Sequence, residues 1–187
     1  MNVLAEVFNT PWKAVNEVCM YLLKIPAILN LKLMKVEIGR NFKFYGLPRI
    51  LKFRGSKIII GDRFENRNIW DTNPLGINHP TIICTWGKDA VIRIGHNVGI
   101  SGGSIIASKN VEIGDGTIIG ANSTIMDTDF HPLASFARRY SKENVKSRPV
   151  KIGKNVFIGM NCTILKGVTI PDNSIVPAGS VIRRWEI

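Results

Sequence analysis

The run Asp127-Thr-Asp-Phe-His131-Pro132 holds the residue types best suited to chemistry in this 187-residue chain. Imidazole is the side chain whose ordinary titration lies near neutrality, so a histidine can take a proton from a hydroxyl and later return it. Asp127 and Asp129 could orient such a ring through its second nitrogen, as carboxylates do in other base–carboxylate pairs. Equally, they could cap the backbone of their own loop. The basic residues that follow, Arg138, Arg139, Lys142, Lys146 and Arg148, read first as a solvated face and second as a contact for anionic substrate groups. Trp70 and Trp86 offer flat rings that suit either a sugar or the underside of a loop. Cys19, Cys84 and Cys162 are odd in number and far apart, giving neither a disulfide framework nor a CxxC metal pair. A reducing cytosol is therefore the expected compartment.

The scaffold for these residues is announced by an internal repeat. Ile152, Ile158, Ile164, Ile170, Val176 and Ile182 stand six residues apart, as do Ile113, Ile119 and Ile125, Ile94, Ile100 and Ile106, and more faintly Ile38, Phe44 and Ile50. Neither a helix nor a simple strand demands that period. A triangular coil does: each hexad is a short strand plus a turn, three hexads close one coil, and the aliphatics fill the prism. Val156, Cys162, Val168, Ser174 and Ser180, four residues after each aliphatic, read as small packed positions, so Cys162 is not expected to be a nucleophile. Gly-Lys-Asn, Gly-Asp-Gly and Pro171-Asp-Asn supply the turns.

Two interruptions carry the functional interest, since long excursions from a rigid scaffold are where sites collect. From Ile125 to Ile152 there are 27 residues where a hexad needs six, so the excursion, about 126–149, removes 21 residues from the prism. It contains His131. A second break runs from Gly61 to about Val91 and holds Trp70, Asp71, His79 and Trp86.

The first 35 residues read as a separate helical segment, leaving 36–187 as the β domain. Thr10-Pro11 resembles an N-cap followed by Pro at the first helical position. Trp12, Val15, Cys19, Leu22 and Leu23 recur at helical spacing, and the helix is expected to end before Pro26. Its expected role is to cover the open end of the β domain; Lys24, Lys32 and Lys35 keep membrane-surface docking open. Apolar stretches such as Val18–Leu23 are too short to span a bilayer, and Glu6 interrupts any leader-like core. Net charge is +11, with 13 Lys/Arg against 7 Asp/Glu in residues 1–90 and 12 against 7 thereafter, so the surplus is spread along the chain and not gathered into a tail. No zinc-finger spacing, RNP-like run or basic helix supports nucleic acid as the partner.

The motifs Asn97-Val-Gly-Ile-Ser-Gly-Gly103, Ile119-Gly-Ala-Asn122, Asp127-Thr-Asp-Phe-His-Pro-Leu133, Val156-Phe-Ile-Gly159, Ile164-Leu-Lys-Gly-Val-Thr-Ile170 and Ala178-Gly-Ser180 resemble those of the hexapeptide-repeat acyltransferases. The likeness is to sugar O-acetyltransferases of capsule, colanic-acid and lipopolysaccharide pathways, and more distantly to galactoside and maltose acetyltransferases. It covers roughly Ile92 to Ile182. It implies a mainly β fold, a left-handed parallel β-helix, and acetyl transfer from acetyl-coenzyme A to a sugar hydroxyl. It further implies that His131 is the general base and that the backbone N–H of Met160 steadies the oxyanion. Gly159, Met160, Ala178, Gly179, Arg183 and Arg184 align with positions along the coenzyme path, and Ser101 with an acceptor contact. Asn122 and Trp86 are further acceptor candidates. The family's trimeric assembly implies a site between two prisms in a cytoplasmic enzyme, with the inner membrane face as a possible neighbour.

Rival readings have distinct signatures. Transfer to an amine gives an amide instead of an alkali-labile ester, and a non-catalytic scaffold binds no coenzyme. The γ-type carbonic anhydrases share the prism, with three histidines on a metal. His79, His96 and His131 lie 17 and 35 residues apart and His96 sits in a turn, so no metal is expected.

Overall fold

The computed structural model describes residues 9–133, 138–141 and 143–185. Among the described residues, eighteen short strands, β1 to β18 in chain order, take three faces in strict rotation. Face one stacks β1 (Glu37–Ile38), β4 (Lys57–Ile60), β7 (Val91–Ile94), β10 (Asn110–Ile113), β13 (Val150–Ile152) and β16 (Thr169–Ile170). Face two stacks β2 (Lys43–Tyr45), β5 (Glu65–Arg67), β8 (Gly99–Ser101), β11 (Ile118–Ile119), β14 (Phe157–Ile158) and β17 (Ile175–Val176). Face three stacks β3 (Arg49–Lys52), β6 (Ile82–Thr85), β9 (Gly103–Ala107), β12 (Ser123–Met126), β15 (Thr163–Ile164) and β18 (Val181–Ile182). All pairs are parallel, each strand meeting its counterpart one coil later. This is a left-handed parallel β-helix.

The six-residue period does the work expected of it. Ile119, Ile158, Ile125, Ile164, Ile152 and Ile170 are buried in one continuous column. Cys162 is buried among them. At many corners the chain enters the left-handed region, which asparagine tolerates better than most residues. Asn41, Asn97, Asn155 and Asn173 all do so after face one. Aspartates then tie coil to coil: Arg40, His96 and Lys154 donate their amides to the Oδ1 atoms of Asp62, Asp115 and Asp172 at 2.7, 2.8 and 2.7 Å. The Arg40 amide is the main reason the Asp62 carboxyl is held below the usual range.

Four expectations need correction. Ile105, not Ile106, is the inward residue of its coil, in register with Ile83 and Ile125. Gly102 and Gly103, both at positive φ, take up the shift. The second interruption is shorter than Gly61–Val91, because β5 and β6 stay in the prism and only 68–81 leaves it. Its first strand hides from a hexad count because Asn66, not an aliphatic, points inward between Phe44 and Ile100.

The helix, α1 (Pro11–Leu33), runs on past Pro26. Pro26 lacks the amide that would reach Leu22, but both residues face outward, where water can meet the free carbonyl. Ala27 and Leu31 then join the prism core, and that packing outweighs the local preference. At 23 residues α1 is also long and apolar enough, by length and composition, to cross a membrane, contrary to the reading from short apolar runs. Pro11 does take its first turn, with the Lys13 amide bonded to the Thr10 carbonyl at 2.9 Å. Glu6 lies outside the described residues.

Candidate active site

The long excursion leaves the corner between faces three and one on a short two-stranded stalk. The Asp129 amide donates to the Lys146 carbonyl at 3.1 Å, the Arg148 amide to the Asp127 carbonyl at 2.9 Å, and Thr128 bridges Ser147 antiparallel. Asp127 is buried and anchors the base. Its carboxylate accepts the amides of Ser108, Lys109 and Asn110 at 2.6, 2.6 and 2.8 Å. Burial pushes its carboxyl up, and those three donors pull the other way. Of the two roles open to Asp127, capping the backbone is what its geometry displays.

Asp129 is engaged differently. One carboxylate oxygen pairs with the Lys166 ammonium, and both side chains are less than one-fifth exposed. Its Oδ2 is buried without a hydrogen-bond partner among the described residues. The Asp129 carbonyl accepts the His131 amide at 2.7 Å, closing a tight turn around Phe130, whose φ is +60°. Pro132 is buried and pins the far side, so the His131 side chain stands exposed at the corner. Trp86 packs edge-on against Phe130, ring centroids 5.8 Å apart, yet remains 56% exposed beside the turn. Sequence reasoning gave Lys166 no role. It lies 37 residues from Asp129, and no local pattern marks the pair.

The remaining candidates gather at a different corner, between faces two and three. Ser101 ends β8 and lines a groove of about 310 Å3 with Arg63, Glu65, Arg67 and Asn97. Its carbonyl accepts the Asn122 amide at 3.3 Å. The Asn122 side chain is committed to the shorter excursion, accepting from the Asn78 amide at 2.8 Å and donating to the Gly76 carbonyl at 3.1 Å. Gly159 has no room for a side chain, since a Cβ there would lie 2.5 Å from the Ala178 nitrogen. Met160 follows in the turn, and its carbonyl accepts the Gly179 amide at 2.8 Å. Ala178 and Gly179 are exposed on the next coil. Arg183 and Arg184, also exposed, follow β18 and so return to the His131 corner.

A single chain thus separates the histidine and Trp86 from the Met160–Gly179 edge by the whole width of face three. The other histidines do not converge on it. The Asp62 amide donates to His96 Nδ1 at 3.0 Å in a turn on another corner, and His79 Nδ1 lies 2.8 Å from its neighbour's carbonyl at Pro80. No metal-ligating cluster of three or more His, Cys, Asp or Glu occurs among the described residues. Of the basic run in the excursion, Arg138 and Arg139 are exposed, and Lys142 lies outside the described residues.

Comparison with known proteins is consistent with the coils. Residues 149–184 match the family model described as the hexapeptide repeat of succinyl-transferase. The galactoside O-acetyltransferase of Escherichia coli (strain K12) is 35% identical over 106 residues, covering 56% of this chain and 50% of that protein. The polysialic acid O-acetyltransferase of Neisseria meningitidis is 31% identical over 138 residues, covering 71% and 55%. The chain therefore spans about half the length of these curated relatives. A crystal structure of the polySia-specific acetyltransferase NeuO aligns over 80% of this chain and 67% of its own, at 23% identity and a TM-score of 0.43.

Proposed function

We propose that this chain, which resembles the hexapeptide-repeat acyltransferases in its coils and its relatives, moves an acetyl group from acetyl-coenzyme A to a hydroxyl of a sugar or surface-polysaccharide precursor. His131 acts as general base. The supporting observation is a rigid prism whose longer excursion is stapled at its base by Asp127 and Lys166 and holds an exposed imidazole at a corner.

In the proposed step the imidazole takes the acceptor hydroxyl proton as the oxygen attacks the thioester carbon. The carbonyl electrons move onto oxygen, which the Met160 amide steadies. The carbon–sulfur bond then breaks, the imidazolium returns its proton to the departing thiolate, and ester plus free coenzyme remain. Asp129 is the carboxylate assigned to steady the imidazolium, because both Asp127 oxygens are already taken by amides while Asp129 Oδ2 has acceptor capacity to spare. The exposed Trp86 ring beside the turn suits an apolar sugar face. Arg183 and Arg184 supply positive charge for the phosphates of the donor.

Because Met160, Ala178 and Gly179 lie one face away from His131, the reading calls for two chains per site, with His131 of one prism facing the donor edge of another. A closed trimer satisfies this at three equivalent sites. Thiol release from acetyl-coenzyme A in the presence of candidate glycosides tests the reaction. The His131→Ala variant is expected to lose about 10²–10⁴ of the rate while unfolding at the same temperature. Unimpaired turnover by that variant overturns the assignment of the base.

A further inference from the structure

Helix α1 turns an apolar face away from the protein. Val15, Val18, Leu22, Ile25, Leu29 and Leu33 advance by three or four residues and therefore share one side. Every one of them is more than half exposed, Leu22 at 72% and Ile25 at 71%. The opposite side makes the attachments: Ala27 and Leu31 enter the core, the Tyr45 hydroxyl donates to Glu17 at 2.8 Å, and the Thr72 hydroxyl donates to Asn16 at 2.6 Å. At 1.5 Å per residue the helix measures about 35 Å. A bare stripe of that length marks an interaction surface.

Charge decides what it meets. By halves the positive surplus looks even, but counted by structural element it is not. Residues 11–56, the helix and the first coil with its closing turn, hold nine Lys/Arg against two Asp/Glu, a net +7 of the chain's +11. Glu17, one of those two acids, is already bonded to Tyr45. A second copy presenting the same face would meet like charge, whereas anionic lipid headgroups complement it. We propose that α1 lies flat in the headgroup region of an anionic bilayer, apolar stripe inward, and holds the prism against the membrane surface.

The helix lies on the membrane and does not cross it, for a reason its contacts supply. Crossing would pull Ala27 and Leu31 out of the core, break the Tyr45 and Thr72 bonds, and place Asn16, Glu17, Lys24 and Asn30 in hydrocarbon. Lys32 lies near the edge of the stripe and can extend toward headgroups while its methylenes stay apolar. This inference is independent of the acetyl-transfer reading and can fail or stand without it.

The test is co-sedimentation of the intact protein with phosphatidylcholine vesicles, with and without phosphatidylglycerol. Binding is expected to the anionic vesicles only and to weaken as salt rises. Leu22→Glu combined with Ile25→Glu changes two exposed positions, and is expected to cut partitioning at least about tenfold with the unfolding temperature unchanged. The proposal is overturned if the wild type ignores anionic vesicles, if it binds both kinds equally, or if the double variant binds as well as the wild type. Should the double variant instead lower the mass seen by light scattering, with no vesicle binding by either protein, the stripe is a contact between copies.

Discussion

Asp127, Asp129 and Lys166 show how the excursion holds a histidine still. Three amides converge on Asp127, and replacing it by alanine leaves those donors unmet at a buried site, a loss of about 3 kcal/mol or more in a denaturant titration. Lys166 stands below the turn, and its removal strands a carboxylate that is more than four-fifths buried. Lys166→Met is accordingly expected to cost about 3 kcal/mol. If Lys166 positions the His131 turn, kcat falls while KM for the coenzyme holds, and Lys166→Arg restores part of it. An unchanged kcat with only stability lost would make the pair purely structural. The aspartates were visible in the sequence as partners near a histidine, but their division of labour was not. It depends on amides 17–19 residues upstream and an ammonium 37 residues downstream.

The coils and the helix succeed or fail by packing. Ile125 sits between Ile105 and Ile164 with no exposed surface, so Ile125→Ala is expected to destabilise by about 3 kcal/mol, read from the denaturant midpoint. The attachment of α1 carries a pH signature. Burial pushes the Tyr45 phenol far up, and its bond to Glu17 adds to the rise. A native phenol that keeps its proton after the unfolded chain has released it stabilises fully below about pH 10. That contribution is lost progressively as pH rises beyond this point. Thermal midpoints measured between pH 8 and pH 11, chosen to bracket about pH 10, should therefore fall more steeply for the wild type than for Tyr45→Phe. Equal slopes would mean the phenol does not couple to folding. The helix was legible from its spacing, but its end was not, because Ala27 and Leu31 find the prism core beyond Pro26.

At the scale of the molecule, the proposed reaction makes assembly part of the chemistry, because His131 and the Met160–Gly179 edge lie on different corners of one chain. His131→Ala and Ala178→Trp are each expected to be inactive alone, one lacking the base and the other blocking the donor path. Co-assembled in equal amounts, they should regain activity, since roughly a quarter of shared sites would then draw both intact halves from different chains. If instead each chain carried a complete site, mixing would restore nothing. The charge of the whole chain likewise acquires meaning only from shape. Its surplus is concentrated on the helix and first coil, a grouping that counting by halves averages away.

The amino-acid order alone determined the prism, because an inward aliphatic every sixth residue, with turn residues suited to left-handed backbone, leaves few other ways to bury a column. It also located the longer excursion and its histidine, since an insertion shows as a lapse in the period. Tertiary contact decided the rest. Which oxygen meets which amide, where Asn66 replaces an aliphatic and which side of α1 faces out all depend on residues distant in the chain and adjacent in space. Hydrogen bonds and packing act over a few ångströms of space, and sequence separation does not record that distance.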